Sequence, residues 1–264
     1  MKVLLMIFIL SYYIMCLFYY YKTLTIDNES YSNKIKWDDI ISECYYINLE
    51  RSVERRKYME EKIKKIDIPC TRFVAKEGKE HRKLCNILNI SDGALGCKLS
   101  HLEILKNIKN NNKWTIIFED DVLFEDCKLV KKEIIKFLSD PPESSEFVLF
   151  GTSPRAFWYN FVTFGFKYYK KNIWKTNRNL SCCHAYAIKY SGAQKWITQI
   201  EKFLCKKPFD MHYKGIDCIY LCNSIKNKKD FFRMIGCKDF SYIRQNKNKF
   251  GYFDSLVTDL SFFS

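Results

Sequence analysis

The chain predicts an α/β fold, a sheet with helices layered on both faces, and three observations carry that prediction. Runs of strand-forming residues at 43–49, 71–75, 114–119 and 147–151 alternate with segments of helical period. Apolar residues make up 47% of the chain, enough for a real core, and Gly and Pro number only 9 and 5, which argues against long disordered tracts. One run, WTIIFEDDVLF from Trp114 to Phe124, ends in three adjacent carboxylates, Glu119, Asp120 and Asp121. Strand ends are where ligands bind in such sheets.

In chain order, Val3 to Tyr21 is uncharged and flanked by Lys2 and Lys22. Its length spans a bilayer, and no small-residue cleavage site follows, so residues 1–22 are expected to form an uncleaved signal anchor. The flanking charges are nearly balanced and specify orientation weakly. Sequons at Asn28, Asn89 and Asn179 fit a type II-like anchor with a lumenal body. Residues 23–40 read as a short polar stem and 41–264 as the folded body.

Within that body ECYYINL, Glu43 to Leu49, is the first strand. Ser52 is placed to cap a helix running to Ile66, with Val53, Met59, Ile63 and Ile66 on one side and Pro69 ending the unit. Thr71 to Ala75 is a second strand. Asp92 is placed to cap the next helix, in which Leu95, Leu99, Leu102, Leu105 and Ile108 form the clearest apolar stripe of the chain. Asn110 to Asn112 stop it. After the Trp114 strand, residues 128–138 read as a helix closed by Pro141 and Pro142, and FVLFG (147–151) as a buried strand. Residues 152–181 break the rhythm, with aromatic residues set among Arg and Lys. Aromatic faces stack on sugars and bases, and they also fill ordinary cores. HAYAI, His184 to Ile188, is strand-like, 190–204 is helical, and 216–226 is expected to be helical. The tail from Phe240 has no strong period.

The net charge of +14 is local. Residues 161–250 hold 19 Lys/Arg against 5 Asp/Glu, and the remainder balances at 25 against 25. One face is therefore basic and suited to phosphorylated ligands, an anionic membrane or nucleic acid, unless it is simply a solvated lysine-rich surface. The twelve cysteines contain no C-x-x-C pair, and His occurs only at 81, 101, 184 and 212, which speaks against a structural zinc site. Most cysteines sit in apolar segments and read as small core residues.

Three acids bounded by apolar residues are costly unless a positive group meets them. They read either as a divalent metal site that holds a diphosphate or as a wet acidic turn. Glu119 and Asp121 have D-x-D spacing, and oxygen ligands suit Mn²⁺ or Mg²⁺. Asp121 is the first choice of metal ligand, while Glu119 or Asp120 could accept from ribose hydroxyls. Arg51, Arg55 and Arg56 follow the first strand and can form a fork for phosphate or carboxylate, or a charged helix surface. Asn48 at the strand end could bond a nucleotide or serve as a turn residue. Gly96, Ser100 and His101 border the Leu95 stripe, where His101 could line a pocket or be structural.

Five segments in order resemble glycosyltransferase family 25, which includes bacterial lipooligosaccharide and collagen galactosyltransferases. They are INLERSVERR (Ile47–Arg56), RFVAKEG (Arg72–Gly78), GALGCKLSH (Gly93–His101), IIFEDDV (Ile116–Val122), and AYAIKYSGAQKW (Ala185–Trp196) followed by PFD at 208–210. The resemblance implies a GT-A type nucleotide-diphospho-sugar transferase fold, a UDP-sugar donor, a divalent metal and an inverting reaction. Lys76 and Glu77 stand where the family's Ala-Val-Asp-Gly turn has Val and Asp, so the Glu77 carboxylate reaches one methylene further. An inverting transfer needs a base for the acceptor hydroxyl. Asp210 is its candidate by position and by resemblance, with Asp217 the alternative.

The expectation is a membrane-anchored, metal-dependent transferase moving a hexose, galactose or glucose, from a UDP donor to a glycan or modified protein side chain. The basic aromatic region would face the acceptor. Two rivals are a family member that has lost catalysis and only binds glycans or partners, and a basic nucleic-acid-binding protein. The second leaves the carboxylates and the anchor unexplained.

Overall fold

A computed structural model of the chain describes residues 11–15, 35–83, 91–124, 126–141, 145–150, 166–170, 173–176, 184–204, 232–235 and 243–245. Residues 11–15 are helical and exposed. The rest of the expected anchor lies outside the described residues, as do the three sequons, Asp210, Asp217 and the helix expected at 216–226. No helix among the described residues is long and apolar enough to cross a membrane.

An eight-stranded mixed sheet organises the body. Its strands are β1 (Ile41–Asn48), β2 (Thr71–Val74), β3 (Trp114–Glu119), β5 (Phe147–Leu149), β6 (Phe166–Lys170), β7 (Ile173–Thr176), β8 (Ala185–Ile188) and β9 (Phe232–Ile235), in the order β2-β1-β3-β8-β5-β9-β7-β6. β1 pairs in parallel with both β2 and β3, and β5 with β9. β8 runs antiparallel between β3 and β5. A two-stranded ribbon joins β4 (Val122–Phe124) to β10 (Ile243–Gln245). The α/β reading therefore holds, with a reversed strand at the sheet's centre that simple alternation does not foresee. Three further segments add strands that the sequence pattern does not announce: residues 152–181, which break the rhythm, carry β6 and β7, while Val122–Phe124 just after the acids and the aperiodic tail each contribute one.

Helices cover both faces. On one lie α1 (Trp37–Ile40), α2 (Val53–Ile66) and α4 (Cys127–Ser139). Met59, Ile63, Ile66, Val130, Ile134 and Phe137 pack there with Ile116, Phe118, Val148, Ala185 and Ala187 of the sheet. On the other face, α3 (Asp92–Asn107) packs against α5 (Tyr190–Leu204). Trp196 of α5 meets Phe147 and Tyr186 edge-on, with ring centroids at 5.6 and 5.2 Å. Because strand side chains alternate, Ile116 and Phe118 serve the first face, while Tyr186 and Phe147 serve the second. Trp37 and Ile40 are buried in the core, so the polar stretch expected as stem through residue 40 already belongs to the body.

Three local expectations shift for identifiable reasons. Ser52 precedes α2 without a capping side-chain bond, and its carbonyl instead accepts from the Asn48 amide at 3.1 Å. α2 is closed by Asp67 in the left-handed conformation (φ 59°), ahead of Pro69. The cap of α3 is Ser91, whose Oγ accepts from Ala94 N at 3.2 Å, so Asp92 is the first helical residue. Cys44 and Cys70, read as core residues, are disulfide-bonded across the β1–β2 edge with Cα atoms 4.4 Å apart.

Candidate active site

Parallel strands β1, β2 and β3 all end at one edge of the sheet, and a cleft of about 290 Å³ opens there. Arg51 and Arg55 line it from beyond β1, and residues 75–79 from beyond β2. Gly96, Cys97, Ser100 and His101 line it from α3, and Glu119, Asp120 and Asp121 from the end of β3. Four of the five segments singled out in the sequence therefore converge on one cavity. The fifth flanks it through Tyr186.

The floor is made by Asp120, which is 8% exposed. Its Oδ2 accepts from Asn48 Nδ2 at 2.7 Å and its Oδ1 from Arg55 at 2.9 Å. Asn48 is itself held, its Oδ1 accepting from Arg72 Nε at 3.1 Å. Burial pushes the Asp120 carboxyl above the usual aspartate value, although Arg55 and Asn48 work in the opposite direction. An acid whose folded value is raised contributes stability that is present below its unfolded value and lost as pH rises through the folded one. Arg55→Met removes the guanidinium that limits this rise. We expect it to cost about 3 kcal/mol near neutral pH and less in mild acid, since breaking a buried pair strands the remaining charge until the carboxyl takes up a proton. Urea denaturation at the two pH values checks this. An equal loss at both would mean that Arg55 acts by packing alone.

Glu119 is held differently. Its Oε1 lies 3.1 Å from His101 Nε2 and 3.7 Å from Cys97 Sγ. Burial works to raise this carboxyl, but the His101 hydrogen bond and charge, together with His184 and Cys97, outweigh it and hold the group below the usual glutamate value. His101 is completely buried, and its Nδ1 lies 2.7 Å from the Tyr186 hydroxyl. Asp121 is 5% exposed and lines the cleft beside them.

The turn after β2 closes the cavity by direct backbone packing on α3. A Cβ on Gly78 would sit 1.8 Å from the Asp92 carbonyl oxygen, and one on Gly96 would sit 2.4 Å from the Lys76 carbonyl oxygen. Ser100 ties the two together. Its Oγ accepts from Lys76 N at 2.9 Å and donates to Gly96 O at 2.7 Å. The Glu77 carboxylate pairs with Arg51, and Lys76 pairs with Glu103 at 2.7 Å. The two residues that depart from the family's turn are thus each matched by a partner.

The proposed arginine fork is divided among carboxylates: Arg51 meets Glu77, Arg55 meets Asp120, and Arg56 meets Glu50 at 3.5 Å, away from the cleft lining. Asn48 lies behind Asp120 and positions it. Sequence reasoning missed Cys97 and Tyr186. The signal for Cys97 was its four-residue spacing from His101, which puts both on one helical face. It also missed Lys98, fully buried in α3, because a lysine in an amphipathic helix reads as surface.

As for metal ions, two carboxylates with hard oxygen donors, Glu119 and Asp121, line the same cavity, and Glu119 is held in the ionised direction. This donor chemistry fits Mn²⁺ or Mg²⁺.

The sequence matches the model of glycosyltransferase family 25 (LPS biosynthesis protein) over residues 41–213. No curated protein matches it. Among solved structures, mouse xyloside xylosyltransferase 1 in its apo form aligns at 9% identity over 73% of this chain and 71% of that chain, with a TM-score of 0.37. A glycosyltransferase involved in the glycosylation of the major capsid of PBCV-1 aligns at 9% identity over 73% of this chain and 81% of that chain, with a TM-score of 0.38. Family membership rests on the sequence match, which covers more than half of the residues and includes every segment that builds the cleft. The chain belongs to glycosyltransferase family 25.

Proposed function

We propose that this glycosyltransferase uses a UDP-hexose, galactose or glucose, and a divalent cation, with inversion at the sugar, in a GT-A type arrangement. The observation that carries this reading is the convergence of three carboxylates and two arginines on one cleft at the ends of parallel strands. Asp121 and Glu119 would hold Mn²⁺ or Mg²⁺, which when bound neutralises charge on a departing diphosphate. Asp120, gripped at both oxygens, acts as a brace. It fixes the Arg55 guanidinium at the cleft wall, where it can meet a phosphate. Arg51 and Glu77 form an exposed pair at the mouth, placed to open and regroup around the donor. Glu119 keeps a lowered carboxyl able to accept from a donor hydroxyl. The acceptor base, Asp210 or Asp217, lies outside the described residues. A glycan or modified protein side chain would enter from the basic, aromatic half of the chain. The Cys44–Cys70 disulfide supports a body that folds in an oxidising compartment, as a type II-like anchor implies.

The test incubates the purified full-length chain with a panel of UDP-sugars, with and without Mn²⁺ or Mg²⁺, and measures released UDP. Metal-dependent release from UDP-galactose or UDP-glucose is the expected result. No release and no nucleotide binding under any condition would overturn the reading.

A further inference from the structure

Cys97 and His101 stand one helical turn apart on α3 and face the carboxylate at the end of β3. Cys97 Sγ, a His101 ring nitrogen and a Glu119 carboxylate oxygen all lie within 4.8 Å of one another. The Glu119 Oε1 contacts, 3.1 Å to nitrogen and 3.7 Å to sulfur, fall close to the ligand-to-ligand spacings of about 3.4 and 3.6 Å that a tetrahedral zinc site requires. A thiolate and an imidazole are poor ligands for Mn²⁺ or Mg²⁺ and good ones for zinc-like ions. His101 is already oriented as a metal ligand is. Its Nδ1 is paired with the Tyr186 hydroxyl at 2.7 Å, Tyr186 is packed between Phe147 and Trp196, and Nε2 is thereby aimed at Glu119.

We propose that Cys97, His101 and Glu119 form a site for a thiophilic divalent cation of the zinc class, inside the cleft, distinguished by its thiolate and imidazole from the hard-oxygen site at Asp121 but sharing Glu119 with it. Binding replaces the Cys97 thiol proton, which passes to solvent, shifts the His101 ring proton from Nε2, which becomes the ligand, to Nδ1, which donates it to the Tyr186 hydroxyl oxygen, and leaves a fourth position for water. Because the ion takes Glu119 Oε1, occupancy withdraws that carboxylate from the donor, so Zn²⁺ antagonises Mn²⁺-dependent transfer. Only this consequence rests on the transferase reading; the binding site does not.

The experiment titrates the full-length chain, kept under anaerobic conditions with its Cys44–Cys70 disulfide intact and Cys97 a free thiol, with Co²⁺, which reports thiolate ligation by a near-ultraviolet charge-transfer band, and then displaces it with Zn²⁺. The expected result is a band that Zn²⁺ abolishes and excess Mn²⁺ does not. Cys97→Ser loses the band. Tyr186→Phe keeps it but weakens affinity about tenfold, as loss of an orienting partner does. Because the chain has other cysteines, a band of equal strength in Cys97→Ser overturns the proposal, and so does the absence of any band in the parent chain. These readouts do not depend on turnover. Failure of sugar transfer with an intact Cys97-dependent band leaves the metal site standing and removes only the antagonism.

Discussion

Asp121→Asn is expected to lower metal-dependent UDP release at least about a hundredfold, the scale of several kcal/mol that a charge-neutralising cation supplies to a departing diphosphate. The substitution keeps the side chain's shape and one acceptor oxygen but removes the charge that a hard cation needs. Stability should move the other way or not at all. Asp121 is nearly buried beside two further carboxylates, and like charges brought together out of water oppose folding. Removing one relieves that repulsion, so the melting temperature of Asp121→Asn should equal or exceed that of the parent. Stability and activity diverging in this way would mark a residue kept for chemistry at the expense of the fold. Turnover within tenfold of the parent would remove Asp121 from the metal site. Glu119 would then be the carboxylate to test.

How much of this was legible beforehand depended on whether the signal was periodic or a matter of partnership. α3 and the β3 run were legible because burial imposes a repeat on the sequence: Leu95, Leu102, Leu105 and Ile108 are buried at helical spacing, and Trp114 to Phe118 is buried throughout. The reversed direction of β8 left no trace, since AYAI buried on both faces reads the same in either orientation. β4 and β10 are three residues each, too short for any period, and their pairing joins positions more than a hundred residues apart. Partnership explains the site as well. The cluster at Glu119–Asp121 stood out because three acids in an apolar run need positive company. The sequence did not show that Arg55 and Asn48 would take Asp120, or that His101 and Cys97 would take Glu119. Those choices follow from the order β2-β1-β3, which sets Asn48 beside Asp120 across 72 positions of chain. The Cys44–Cys70 pair is a product of the same juxtaposition, with no local motif to announce it.

Gly78→Ala should be the most damaging substitution for the fold, costing about 3 kcal/mol or more in urea unfolding. Overpacking by one methyl ordinarily costs 1–3 kcal/mol, roughly, where neighbouring side chains can yield. Here the obstructing atom is the Asp92 carbonyl oxygen at 1.8 Å, with Gly96 N at 2.9 Å, so only a shift of the turn or of the first turn of α3 relieves the clash. Either movement pulls Lys76 N from Ser100 and displaces Glu77, so nucleotide affinity should fall with stability. Glu77→Gln separates the two effects. Its partner Arg51 is largely exposed, and an exposed pair is worth at most about 1 kcal/mol. We therefore expect Glu77→Gln to fold almost as stably as the parent while binding the donor less tightly. If Gly78→Ala were as stable as Glu77→Gln, the turn would not be locked to α3. The cleft would then owe its shape to the ion pair at its mouth rather than to the backbone beneath it.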